Sequence, residues 1–243
     1  TFTPGGLQSG YAMRNLICGK GEKYITDAIR DDINAVLIDL YKRVTKNIDM
    51  DSAQCWALSS ISPGIILSRS RGTDIRSQGS KSTGATNMTR VMGLRYGLIT
   101  FLGDVIKATL SVLLGRLIAG DPGAILAGLF VVIGHNWPAF YQFKGGKGIA
   151  CSVAVLLWIC PSQALVGCAA AILVIMITRY ISVGSLTLLL VSAVLIIIAK
   201  PFWPVGIWSL ALLVLGLYQH RANISRLIEG SESKLALKPT GKK

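Results

Sequence analysis

The chain has 243 residues, of which 51% are hydrophobic and only 15% charged, with a formal net charge of +13 and a mean hydropathy of +0.54. A soluble domain carries about a quarter charged residues, and here the apolar residues after Tyr96 run in long blocks, which excludes an ordinary soluble fold. In lipid only helices or closed barrels satisfy the backbone, so the blocks predict an all-α, polytopic membrane protein. Its basic residues are then read by their loop positions. No basic soluble face with interleaved aromatics is present, so no nucleic-acid partner is expected.

Residues 1–54 are mixed in charge and form an N-terminal extension. Within Tyr24–Lys46, Ile25, Ile29, Ile33, Val36, Leu37, Leu40 and Val44 recur at helical spacing, with aspartates early and basic residues late. This predicts an amphipathic helix whose charges suit the macrodipole. It lies on the membrane or on the body of the protein, with docking of a partner as the alternative. No signal-peptide core is present.

Residues 55–238 read as the membrane domain and residues 239–243 as a basic tail. Seven apolar segments are expected: Cys55–Leu67 (weak and interrupted by Pro63-Gly64), Gly97–Ala119, Ala124–Ile133, Ile149–Cys160, Ala164–Thr178, Val183–Ala199 and Trp203–Tyr218. Several fall short of the ~20 residues that span a bilayer core. The fourth and fifth are separated only by Pro161-Ser162-Gln163, so one long kinked helix is a competing reading. Loop charge decides between them. With seven spans, the loops Ser68–Gly93 and Ala139–Gly148, the Arg179-Tyr180 turn and the tail Gln219–Lys243 share a side, and they carry most of the lysines and arginines. The opposite loops hold little beyond Asp121 and Lys200. The positive-inside rule therefore favours seven spans.

Those loops carry the chemistry. Lys144-Gly145-Gly146-Lys147-Gly148 sets glycines and a mobile cation before the apolar run from Ile149, which predicts a phosphate site made of backbone N–H groups, Lys147 and a helix N-terminus. It is not a nucleotide P-loop: Tyr141 stands where the first glycine belongs, and Gly148 follows the lysine. The first loop offers Ser80, Gly84, Thr86, Asn87 and Arg90, a donor set suited to a polyoxygenated anion. In the tail, His220 and Asn223 share one helical face, beside Arg221 and Arg226. His220 and His135 are the chain's two histidines and hence its candidates for a base at neutral pH. Asp104 and Lys107 read as an intrahelical pair, with proton transport as the poorer alternative. Cys151, Cys160 and Cys168 lie in apolar runs as packing residues, with no metal-ligand spacing.

Three ordered stretches resemble the motifs of the acyl-phosphate:glycerol-3-phosphate acyltransferases of the PlsY type. They are Gly79-Ser80…Gly84-Ala85-Thr86-Asn87…Arg90, Gly134-His135-Asn136-Trp137-Pro138…Phe143-Lys144-Gly145-Gly146-Lys147-Gly148, and His220-Arg221…Asn223…Arg226…Gly230…Glu232. The resemblance, over about residues 56–238, implies a seven-span enzyme that moves a fatty acyl group from acyl phosphate to the 1-hydroxyl of glycerol 3-phosphate. Lysophosphatidic acid and phosphate would be the products, with no metal or bound cofactor. It also implies that Gly145, Gly146, Lys147 and Thr86 hold the acyl phosphate, while Ser80, Arg90, His220 and Asn223 hold and orient the acceptor. Two departures stand out. Lys81-Ser82-Thr83 replaces the family's Gly-Asn-Pro, where a lysine would add an anion contact or obstruct the pocket. Residues 1–54 have no counterpart in the bacterial pattern, which suggests a plastid membrane, or a bacterial inner membrane otherwise. The extension also motivates the rival expectation of an acyltransferase-derived structural subunit, joined to a larger membrane complex through residues 1–54.

Overall fold

The computed structural model describes residues 59–199 and 203–235, all within the unit Cys55–Lys243. The expected helix over Tyr24–Lys46 and the tail 239–243 lie outside the described residues. Every regular element among those described is helical: α1 (Pro63–Arg69), α2 (Ala85–Met92), α3 (Leu94–Asn136), α4 (Ile149–Ile159), α5 (Pro161–Thr178), α6 (Ile181–Ala199), α7 (Trp203–Gln219) and α8 (Arg221–Ile228). Two short 3-10 turns, Ile75–Ser77 and Ala139–Tyr141, sit in the first and second basic loops.

Proline and glycine set the boundaries, not always where the letters suggest. Pro63 opens α1 instead of interrupting it, because its missing N–H costs nothing in a first turn. Pro161 likewise begins α5, so Pro161-Ser162-Gln163 forms a helical turn and the break narrows to Cys160, pushed out of helical geometry (φ −138°, ψ 66°) ahead of the proline. The second and third apolar segments form one element, α3, broken at Ala119 and Gly120. Gly120 turns the chain at φ 63°, and the backbones of Gly115 and Gly123 then pack against each other with no room for a Cβ. On a straight helix Asp104 and His135 would stand ~46 Å apart. They touch, with Asp104 Oδ1 and His135 Nδ1 at 3.1 Å, so α3 folds back into a hairpin.

Among the described residues three helices are long and apolar enough to cross a bilayer: α3 (with the turn to Tyr141), α5 and α6. Helices α4 and α7 are apolar but shorter. A core of Ala108, Val112, Val131, Val155, Leu188, Ile196 and Leu212 runs between them. Large apolar side chains also cover the outside, among them Leu102, Leu110 and Leu117 of α3, Met176 and Ile177 of α5, and Ile198 of α6. Helices apolar on every side suit lipid, where packing relies on small residues instead of burial from water. Gly167 set against Ser192 at the contact of α5 and α6 is one such pairing.

Candidate functional site

The loop before α2 is built around one amide. Asn87, buried, accepts from the Ser80 N–H (2.9 Å) through Oδ1 and donates through Nδ2 to the Ser82 carbonyl (2.8 Å) and the Gln78 carbonyl (3.0 Å). The loop thereby closes over the first turn of α2, whose N-cap is Gly84. Gly79 and Lys81 both take positive φ (57° and 58°) in this loop.

The second loop is held by packing. Gly145 lies against the carbonyls of His135 and Asn136 and the Pro138 ring, and Gly146 lies on the His135 imidazole. The Gly146 N–H donates to the His135 carbonyl (3.1 Å). Gly148 (φ 75°) caps α4, with Asn136 beside it. Upstream, Gln142 and Phe143 are consecutive non-glycine residues at positive φ (59° and 55°). Such backbone persists only where its surroundings over-determine it.

These loops, the turn after α7 and the segment after α8 meet around one cavity of about 420 Å³. Its polar end is lined by Ser80, Gly84, Thr86, Asn87, Arg90, His135, Lys147, His220, Asn223 and Glu232. Ile149 and Ala150, at the N-terminus of α4, line it too. Its apolar wall comes from Val153 of α4, Cys168, Ala171, Ile172 and Ile175 of α5, and Leu188 of α6. The α5 residues follow i, i+3, i+4, i+7, one continuous helix face.

At the polar end Lys147 Nζ donates to Asn223 Oδ1 (2.6 Å), and Asn223 Nδ2 donates to Glu232 Oε1 (2.6 Å). Glu232 also accepts from Ser182 Oγ (2.8 Å) and Arg226 Nε (2.8 Å). Burial works to raise the Glu232 carboxyl, but the hydrogen bonds from Asn223, Ser182 and Arg226 outweigh it and hold the group below its ordinary value. Lys147 is pushed down to about 8 by burial, with Glu232 opposing and Arg226 and Arg90 adding to the fall. His220 is pushed down to about 4, by burial first and then by the Lys147 charge. Its imidazole is therefore neutral near pH 7. With Nδ1 donating to the Gly216 carbonyl (2.8 Å), Nε2 carries the lone pair.

Of the twelve residues singled out from sequence, nine line the cavity: Ser80, Gly84, Thr86, Asn87, Arg90, His135, Lys147, His220 and Asn223. Gly145, Gly146 and Arg221 do not. Of the expected glycine nest, the Gly146 N–H already serves the His135 carbonyl, and Gly145 and Gly146 lie in close approach to the end of α3. Arg221 turns away, donating to the Tyr218 carbonyl (2.9 Å) and stacking over that ring. Lys81 is exposed and outside the lining residues, so it neither adds an anion contact there nor obstructs the cavity. The residue passed over was Glu232. It stands at the end of the third motif, one of two acids (with Glu229) among the six lysines and arginines of the tail Gln219–Lys243.

Beneath the second loop, Asp104 Oδ1 lies 3.1 Å from His135 Nδ1 and 3.7 Å from Lys107 Nζ, so the expected Asp104–Lys107 pair is a three-residue cluster. Asp104, His135 and Cys151 bring O, N and S atoms within 4.8 Å of one another. Lys107 Nζ also stands 3.4 Å from His135 Nδ1. An ammonium thus stands beside two of these three donors, and its charge would oppose a second cation among them.

The glycerol-3-phosphate acyltransferase family profile matches residues 52–230. A glycerol-3-phosphate acyltransferase of Thermoanaerobacter sp. (strain X514) is 43% identical over 177 residues, covering 72% of this chain and 88% of that protein. The crystal structure of PlsY (YgiH), an integral membrane glycerol 3-phosphate acyltransferase, in its glycerol 3-phosphate form is 32% identical with a TM-score of 0.72, covering 76% of this chain and 93% of that one. Its lysophosphatidic acid form aligns at 29% identity and a TM-score of 0.69, over 84% and 96%. These relatives are bacterial or of unstated source and lend the plastid expectation no support. With three motifs converging on one cavity and a profile spanning nearly all the described residues, the chain belongs to the glycerol-3-phosphate acyltransferase family.

Proposed function

We propose that this enzyme transfers a fatty acyl group from acyl phosphate to the 1-hydroxyl of glycerol 3-phosphate, releasing lysophosphatidic acid and phosphate. The observation that carries the reading is the cavity itself: two cations, Arg90 and Lys147, with Ser80, His220 and Asn223 beside them at one end, an apolar helical wall at the other. An acyl phosphate has the same division. In this reading Lys147 and the free N–H groups at the start of α4 take its phosphate, and the tail lies along α5. Arg90, Ser80 and Asn223 take the acceptor's phosphate and hydroxyls.

The hydroxyl oxygen attacks the acyl carbon, the acyl–oxygen bond to phosphate breaks, and the phosphate leaves with the electron pair. His220 Nε2 accepts the hydroxyl's hydrogen bond and aims it. A group with pKa near 4 is a poor resting place for a proton at pH 7. The leaving phosphate, a stronger base than that imidazole, is the better final acceptor. Positioning and cationic stabilisation of the developing charge then supply most of the acceleration.

The reading includes seven crossings, with the loops bearing Arg90, Lys147, Arg179 and Arg226 on one side. It is supported by the meeting of those loops at one cavity. Purified protein given acyl phosphate and glycerol 3-phosphate, with acyl-CoA as the control donor, tests it. Lysophosphatidic acid should form from acyl phosphate alone; an inert, correctly folded protein would sink it and favour the structural-subunit reading.

A further inference from the structure

Outside the cavity, one arginine joins the two loops that carry the reactive groups. Arg76 sits in the 3-10 turn Ile75–Ser77, capped by Asp74, whose Oδ1 accepts from the Arg76 N–H (3.0 Å). The same carboxylate takes the inner edge of the guanidinium, through Nε (2.9 Å to Oδ1) and Nη2 (2.7 Å to Oδ2). This fixes the plane of the fork and leaves Nη1 to donate to the Tyr141 carbonyl (2.8 Å), 65 residues away. Arg69 adds a bond to Asp74 Oδ2 (3.3 Å) and lies over the Tyr141 ring.

The Tyr141 carbonyl is the hinge of the second loop. It also accepts from the Lys144 N–H (3.2 Å), closing the turn through Gln142 and Phe143, both held at positive φ. Lys147 follows a few residues later. On the other side, Ile75 and Gln78, which flank Arg76, offer their carbonyls to the Asn87 amide that shapes the Ser80 loop. Arg76 is not a lining residue of the cavity.

We infer that Arg76 is a positioning residue: oriented by Asp74, it locks the strained Tyr141–Lys144 turn to the Ser80 loop and so sets the distance between Lys147 and the acceptor's groups. The inference rests on the proposed function. A lysine in its place keeps the charge but cannot hold two partners in fixed geometry. The Asp74 carboxylate, kept well below the usual carboxylate range by the Arg76 guanidinium, stays ionised throughout the working pH range.

The test is steady-state kinetics of the detergent-purified full chain with acyl phosphate and glycerol 3-phosphate varied in turn, alongside thermal unfolding. Arg76→Ala should raise KM for acyl phosphate about tenfold, as loss of one charge-assisted hydrogen bond allows, with a smaller fall in kcat. Arg76→Lys should recover Tm but not KM, and Asp74→Asn should raise KM by a few-fold, as it loosens the fork without removing it. If Arg76→Ala does not fold, the lysine and Asp74→Asn variants decide the question. Unchanged KM in folded variants, or full kinetic rescue by lysine, overturns the inference. A wild-type chain inert toward acyl phosphate instead overturns the functional reading itself.

Discussion

The two loops at the polar end of the cavity solve one problem by different means. The Ser80 loop is organised by a side chain: the Asn87 amide collects a backbone N–H and several carbonyls that would otherwise be orphaned. The Lys147 loop is organised by the absence of side chains, with Gly145 and Gly146 laid directly on the end of α3. A polar organiser distributes its bonds and tolerates partial loss. Close packing of backbone on an imidazole admits nothing, so the second loop should be the more brittle.

Removing the cation itself gives the largest effect. Lys147→Ala should lower kcat/KM by a hundredfold or more, since it strips an anion partner in a low-dielectric site and frees Asn223 from its place. Substrate assays at matched protein level check this. Gly146→Ala comes next. A Cβ there falls onto His135 Nε2, so the loop must shift and break the bond from the Gly146 N–H to the His135 carbonyl. Activity should fall at least tenfold, because a displacement near 1 Å suffices for that. Asn87→Ala is the matching cut in the other loop. It leaves buried groups unsatisfied and should cost about 2 kcal/mol of stability, read as a fall in Tm, with a smaller loss of activity than Gly146→Ala. The reverse order of those two activities would break the comparison.

A pH series sharpens it. Lys147 loses its proton above about 8, so the KM for acyl phosphate should climb as pH passes from 8 to 9. The substrate phosphate, with a second pKa of about 6, does not titrate there. His220, already neutral, should add no inflection between 6 and 9. Lys147→Arg keeps its charge and should flatten the profile.

Much of this was legible in the letters for a physical reason. Loop charge and apolar block length are properties of sequence that lipid enforces directly, and from Ile149 onward the described helices follow those blocks closely. Lys147, Arg90, His220 and Asn223, which line the cavity, stand out as candidates in the sequence because cations and polar side chains beside apolar blocks have few bland explanations. What escaped depends on contacts between distant residues. Nothing local says that the Gly146 N–H is spent on His135, that Arg221 stacks on Tyr218, or that Glu232 gathers Ser182, Asn223 and Arg226. Asp104 and Lys107 were paired from their spacing. His135 joins them only because α3 folds back at Gly120.

The smallest effect comes from the departure in the first motif. Lys81 occupies a left-handed backbone position (φ 58°) where the family pattern has glycine. A side chain there costs about 1 kcal/mol in the folded state, while glycine's greater freedom in the unfolded chain returns part of any gain. Lys81→Gly should therefore stabilise the protein by a few tenths of a kcal/mol, visible as a slight rise in Tm. Because Lys81 is exposed and outside the cavity lining, its kinetics should match the wild type. A changed KM for glycerol 3-phosphate would mean that the lysine reaches the incoming anion from outside, and that the Ser80 loop guides charge as well as holding it.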